Sequence, residues 1–160
     1  MLIDSKRPFL LALIFLVTSV AGIMIYQWYQ KTVQKNQIAI YTGTGLVKIN
    51  IEYTDTSEKL VQGLMNRPVL SENSGMLFSF PDIKIREFWM KNMLIPLEIM
   101  FIDTFGRINE IITMEPCPPD AQICPVYTSK GPARFAIEVN TGFTAKNNII
   151  EGDILEISGF

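Results

Sequence analysis

Eighteen consecutive residues, Phe9 to Tyr26, carry no charge, and only Thr18, Ser19 and Gly22 interrupt their apolar character. A stretch this greasy has no place on the surface of a water-soluble domain. As a helix it reaches roughly 27 Å, close to the thickness of a bilayer's hydrocarbon core. Lys6 and Arg7 precede it, and Tyr26, Trp28 and Tyr29 follow as an interfacial aromatic belt. Two readings are open, a cleaved signal peptide or an uncleaved anchor. Ser19-Val20-Ala21 offers small residues for cleavage, but Ile23, Met24 and Ile25 prolong the run beyond it, which favours an anchor. Lys31 and Lys35 oppose Lys6 and Arg7, so orientation is weakly set. Either reading exports the remainder: a transmembrane anchor or signal segment over 1–29, a polar linker over 30–37, and an extracytoplasmic domain over 38–160, single-pass at the cell membrane.

A second apolar run, FWMKNMLIPLEIMFIDTFGRI from Phe88 to Ile108, is of another kind. Lys91, Asn92, Glu98 and Asp103 spread polar groups along it, and each charge near a bilayer centre costs about 3 kcal/mol on insertion scales. Pro96 removes a backbone donor midway. Two strands joined by a turn at Asn92 to Pro96, with a further turn at Asp103 to Gly106, fit it better.

The rest of the exported part alternates in the same way. In LVKINIEY, Val47, Ile49, Ile51 and Tyr53 fall on one face and Lys48, Asn50 and Glu52 on the other, the period of a strand with one dry side. Asp55 and Glu58 have capping-box spacing, and Leu60, Val61, Leu64 and Met65 recur at helical intervals, predicting a helix that stops at Arg67 before Pro68. Gly75 to Phe80 and RINEIIT from Arg107 read as strands. ARFAIEV places Ala133, Phe135, Ile137 and Val139 inward and Arg134 and Glu138 outward. A short helix near Thr141 to Asn147 and a closing strand DILEIS complete an α+β domain: seven or eight strands in a mostly antiparallel, barrel-like sheet with two short helices.

What the chain lacks narrows its chemistry. With no histidine, Ser-His and Cys-His catalysis, histidine-ligated zinc and the usual haem ligation all fall away. Gly43 and Gly45 lack the further glycine and the Lys-Ser or Lys-Thr pair of a phosphate loop. A net charge of -2 and scattered cations give nucleic acid nothing to hold, and no cofactor or metal is expected. At 48% apolar composition, 160 residues suffice for one cored domain plus an appendage. Cys117 and Cys124, in EPCPPDAQICPVY, read chiefly as a structural disulfide in an oxidising compartment, with a redox pair, a metal site or free thiols as alternatives. Such a bond closes a loop of about eight residues, worth roughly 2.5 kcal/mol in the chain-entropy model.

In this order the chain carries Gly63-Leu64-Met65 with Arg67; Gly75-Met76-Leu77-Phe78 with Phe80; Phe88-Trp89-Met90-Lys91-Asn92 through Ile95-Pro96-Leu97 and Phe101-Ile102-Asp103 with Gly106; Pro116-Cys117, Tyr127, Ser129, Gly131-Pro132-Ala133-Arg134, Glu138 and Gly142; and Gly152-Asp153. Over roughly Leu46 to Ile157 this resembles the domain-of-unknown-function 192 family, and the Phe-Trp-Met-Lys-Asn segment is specific to it. Met93 stands where the family usually has Thr, and Glu98 where it usually has Asp. The resemblance implies a compact β-rich fold and often an export signal or anchor; it supplies no activity.

Candidate site residues come from cations and aromatics in apolar or turn settings. Arg67, Lys91 and Arg134 would suit a carboxylate or phosphate if they converge, with Trp89 and Tyr127 as aromatic walls and Ser129 on a rim beside the cysteine loop. The plainer readings are that Arg67 pairs with a nearby acid, that Arg134 pairs with Glu138 or Glu98, that Trp89 packs with Lys91 snorkelling beside it, and that Asn92 forms a turn. Glu98 and Asp103 are the acids that a catalytic reading would use with Tyr127, although five positions of separation put them on opposite strand faces. The leading expectation is a membrane-anchored domain that binds a small anionic ligand and catalyses nothing. The alternatives are a carboxylate-dependent lyase or hydrolase, and a structural or protein-interaction module of the envelope.

Overall fold

The computed structural model describes residues 19–26, 37–54 and 56–156. The chain divides into two units, Met1–Lys35 and Asn36–Phe160. In the first, residues 19–26 form helix α1, with Val20, Ile23, Met24, Ile25 and Tyr26 exposed. No helix among the described residues is long and apolar enough to cross a membrane, and most of the Phe9–Tyr26 run, with all but the last residue of the expected linker, lies outside them.

The second unit is mostly β. Its strands are β1 (Gln37–Thr42), β2 (Gly45–Thr54), β3 (Ser74–Lys84), β4 (Glu87–Trp89), β5 (Leu97–Ile102), β6 (Ile108–Met114), β7 (Val126–Thr128), β8 (Ala133–Asn140) and β9 (Ile154–Leu155). Two short helices, α2 (Ser57–Gln62) and α3 (Phe143–Lys146), interrupt them. Seven strands form one sheet in the order β6-β5-β8-β3-β2-β1-β9, curled into a half-barrel, while β4 and β7 pair separately. Every pairing is antiparallel except β2 with β3. A parallel pair cannot be closed by a tight hairpin, so α2 and its loop serve as the crossover. The curl brings the ends of the sheet order together: Arg107 bridges Ile154, Ile108 N donates to Asp153 O at 2.9 Å and Leu155 N to Gly106 O at 2.7 Å.

The sheet buries both faces. On one, Ile40, Ile49, Leu77, Met100, Ile137 and Leu155 form a core with Phe143 of α3. On the other, Met76, Phe78, Leu97, Ile99, Phe101 and Ala136 are covered by Leu64, Leu70, Met90 and Met93. Two expectations give way here. Glu138 does not face water, because β8 lies between β3 and β5 and has a covered core on each side; it is 4% exposed. The strands on either side of Asn92–Pro96 do not pair with each other: β5 is buried at every position between β6 and β8, whereas short β4 joins β7.

Helix α2 is also shorter than its spacing predicts. Thr56 is the N-cap, accepting from Lys59 N at 3.4 Å, while Asp55 lies outside the described residues. Gly63, at φ 48° and ψ -134°, ends the helix four residues before Arg67, since no other residue enters that region cheaply. Leu64 then drops into the core at 1% exposure. Gln37, expected as the end of the linker, opens β1.

Candidate functional site

A cleft of about 310 Å³ opens between α2 and β4, on the face that α2 partly covers. One wall is the end of α2 and its exit loop, Leu60 to Met65; the other is the end of β3 and β4, from Phe80 and Lys84 to Trp89. Its floor is Phe78 and Glu138, with Met93 alongside, the position where the related family usually has Thr.

Aromatic packing shapes the inner wall. The Phe88 ring meets Phe78 edge-on at 5.2 Å, Phe80 at 6.3 Å and Phe101 at 5.7 Å. Arg86 lies over Phe80 with its guanidinium carbon 4.0 Å from the ring centre. That arginine is held at two of its three nitrogens: Nε donates to Ala133 O at 3.0 Å, and Nη2 donates to Asp82 Oδ1 at 2.8 Å and to the Asp82 carbonyl. Lys84 also pairs with Asp82, at 3.1 Å, and the two cations hold the Asp82 carboxyl below its ordinary range.

Glu138 has no such company. Its cross-strand neighbours are Met76 on β3 and Ile99 on β5, its Oε2 has no hydrogen-bond partner, and no ion pair among the described residues includes it. Burial pushes its carboxyl up to about 8, because a charge there would be neither solvated nor neutralised. At neutral pH it is therefore mostly the uncharged acid. Gly63 lies over it, where a Cβ would come within 3.9 Å of its Oε2.

Of the residues chosen from sequence, Trp89 lines this cleft. Its ring is half exposed and Lys91 Nζ stands 5.9 Å from its centre. Arg67 lies elsewhere, in a smaller cleft, bound through both guanidinium nitrogens to the two carboxylate oxygens of Glu52. Arg134 lies with its guanidinium carbon 5.2 Å from the centre of the Phe135 ring, and its Nη1 is buried without a partner. Neither Glu138 nor Glu98 answers it. The three cations thus share no cleft.

The remaining candidates do local work. Asn92 takes a left-handed backbone, φ 58°, and its carbonyl accepts from Asn66 N at 2.8 Å. Glu98 is buried and accepts from Gly142 N (2.7 Å), Thr144 N (3.0 Å) and Thr144 Oγ1 (2.9 Å), tying down the start of α3. Asp103 closes its turn by accepting from Phe105 N and Arg107 N. Tyr127 Oη accepts from Glu115 N at 3.0 Å, and Ser129 Oγ accepts from Arg86 N while donating to Gly131 O. Cys117 and Cys124 are disulfide-bonded, with Cα atoms 5.3 Å apart.

Sequence reasoning missed the burial of Glu138. The signal was present in FAIEV, where one acid interrupts an apolar run of the kind that marks a strand buried on both faces.

Comparison with known proteins agrees with the fold. The model of the domain-of-unknown-function 192 family, described as Uncharacterized ACR, matches residues 39–157. A solved protein from Sinorhizobium meliloti 1021, provisionally described as a transcription regulator, is similar with a TM-score of 0.67 and 29% identity, over 75% of this chain and 91% of that one. A protein of unknown function from Novosphingobium aromaticivorans DSM 12444 is similar with a TM-score of 0.66 and 28% identity, over 75% and 83%. No curated protein matches the sequence.

Proposed function

The chain belongs to the domain-of-unknown-function 192 family, and from that premise we propose that it is an exported domain, held at a membrane by its N-terminal apolar run, that binds a small ligand in the cleft over Glu138. Export is supported by the uncharged Phe9–Tyr26 run and by the Cys117–Cys124 disulfide, a bond that persists in oxidising compartments. Binding is supported above all by Glu138, an acid buried without an internal partner at the floor of an aromatic-walled cleft. Such a group is costly to keep unless something outside the chain completes it. The geometry does not favour an anion gripped by Arg67, Lys91 and Arg134, since Arg67 is occupied by Glu52 and the three line no common space.

Two measurements test the proposal. In cells, protease added outside the membrane should digest the domain. With the full chain, small-molecule hits in a thermal-shift screen should raise Tm and perturb the NMR signals of Gly63, Phe78 and Trp89. Hits that leave those signals still would remove the cleft from the account.

A second reading, carboxylate catalysis, has one observation behind it: a general acid or base works best when it titrates near the operating pH, and Glu138 does so. Glu98, Asp103 and Tyr127, the groups that reading first named, are bound into local hydrogen bonds.

A further inference from the structure

We propose that the cleft takes an organic amine, a primary or secondary ammonium on a short apolar or aromatic body, with its nitrogen against the carboxylate of Glu138. The inference rests on the cleft being a ligand site and names the class that fits it.

Among the described residues Glu138 has no counter-ion. Its strand neighbours Met76 and Ile99 are uncharged, and the α2 wall contributes Leu60, Val61 and Gln62, with no charged side chain. The other wall carries Lys84, Arg86 and Glu87. Both of its cations are held by Asp82, and Glu87 adds negative charge, so the wall as a whole does not repel an ammonium. Aromatic faces attract cations as well as apolar carbon, and Phe78, Phe88 and Trp89 border the floor and mouth. No cluster of three or more His, Cys, Asp or Glu gathers among the described residues, so a metal ion would find too few donors. A neutral alcohol or amide can hydrogen-bond the acid form but offers no counter-charge to the carboxylate that replaces it as pH rises. An ammonium supplies both the hydrogen bond and the charge.

The exchange of protons is balanced. At neutral pH the empty site holds Glu138 as the neutral acid, and an amine arrives already protonated. The complex holds carboxylate and ammonium, so close to one proton leaves to solvent for each ligand bound. Affinity should therefore rise about tenfold per pH unit below 8 and level off above it.

The test is a titration of the full chain with three probes that share a 2-phenylethyl body, 2-phenylethylamine, 2-phenylethanol and 3-phenylpropionate, followed by NMR of the cleft residues and by calorimetry in buffers of different ionisation enthalpy. The amine should bind at least tenfold more tightly than the other two at pH 8, with proton release at pH 7. Glu138→Gln should abolish both the preference and the proton release. Equal or tighter binding of the alcohol or the propionate would overturn the amine assignment and leave the cleft as a ligand site. A preference that survives Glu138→Gln, or no binding of any probe, would overturn it as well. The library screen with the full chain decides the cleft separately.

Discussion

Gly63 stands over Glu138: a Cβ built on the glycine would lie 3.9 Å from Oε2 of the acid and 3.5 Å from Cζ of Phe78. The residue that terminates α2, at φ 48°, thus also lies directly over the cleft floor.

Gly63→Ala should therefore act in two ways. An alanine at φ 48° and ψ -134° is strained whatever the space around it, at a cost on the order of 1–3 kcal/mol. The added methyl sits at ordinary contact distance and narrows the approach to the carboxyl. Urea denaturation should show the lost stability at unchanged m, and probe affinity in the cleft should fall. A variant of wild-type stability would mean that the turn relaxes without cost.

The pH dependence of stability should carry the mark of Glu138. Its folded-state pKa of about 8 lies above the unfolded value of 4.5, so the folded state holds the proton more tightly. Its contribution to stability is then fully present below about pH 4.5, falls by about 1.4 kcal/mol per unit as pH rises, and levels off above 8, a total on the order of 5 kcal/mol. Glu138→Gln keeps the shape and removes the titration. Its urea midpoint should vary much less over this range, and a wild-type midpoint flat from pH 5 to 8 would contradict the burial.

Much of the fold was legible because its signals are local. LVKINIEY and ARFAIEV alternate, Pro96 and Gly106 punctuate, and the cysteines in their proline-rich loop are bonded. What stayed hidden depends on partners distant in sequence. Nothing in residues 87–89 says that their mate is 126–128, or that β2 and β3 run parallel around α2. The site suffered most from this. The plainer reading of Arg67, pairing with an acid, holds, but the acid is Glu52 on β2, fifteen positions earlier, and Glu138 looked wet until β3, β5 and the α2 loop covered it. Parity assigns a residue to a face; only the tertiary structure says which faces are dry.

Arg67 should prove to be an ordinary surface cation. Its ion pair with Glu52 holds the acid below its usual range, chiefly through the side-chain hydrogen bond, so the pair stabilises above about pH 4.5 and fades as pH falls through the depressed value. Both side chains are more than a third exposed, which limits the contribution to under about 1 kcal/mol. Arg67→Met should shift the thermal midpoint only slightly and leave cleft binding unchanged. A loss of ligand affinity on that substitution would return Arg67 to the site.

Glu98 should cost far more to remove, although it too is a lone acid within an apolar strand. Its two oxygens satisfy the amides of Gly142 and Thr144 and the Thr144 hydroxyl, all beside the core that holds Phe143. Glu98→Ala strands those buried donors and leaves a void under α3, and about 3 kcal/mol should be lost. Glu98→Gln keeps one acceptor oxygen and turns the other position into a donor facing donors, so it should recover only part of the loss. The contrast with Glu138 is the decisive measurement. Both acids are buried, yet Gln should be tolerated at 138, where the carboxyl has no protein partner, and penalised at 98, where both oxygens are engaged. Equal penalties at the two positions would mean that Glu138 is as fully partnered inside the fold as Glu98, and a ligand would no longer be needed to complete it.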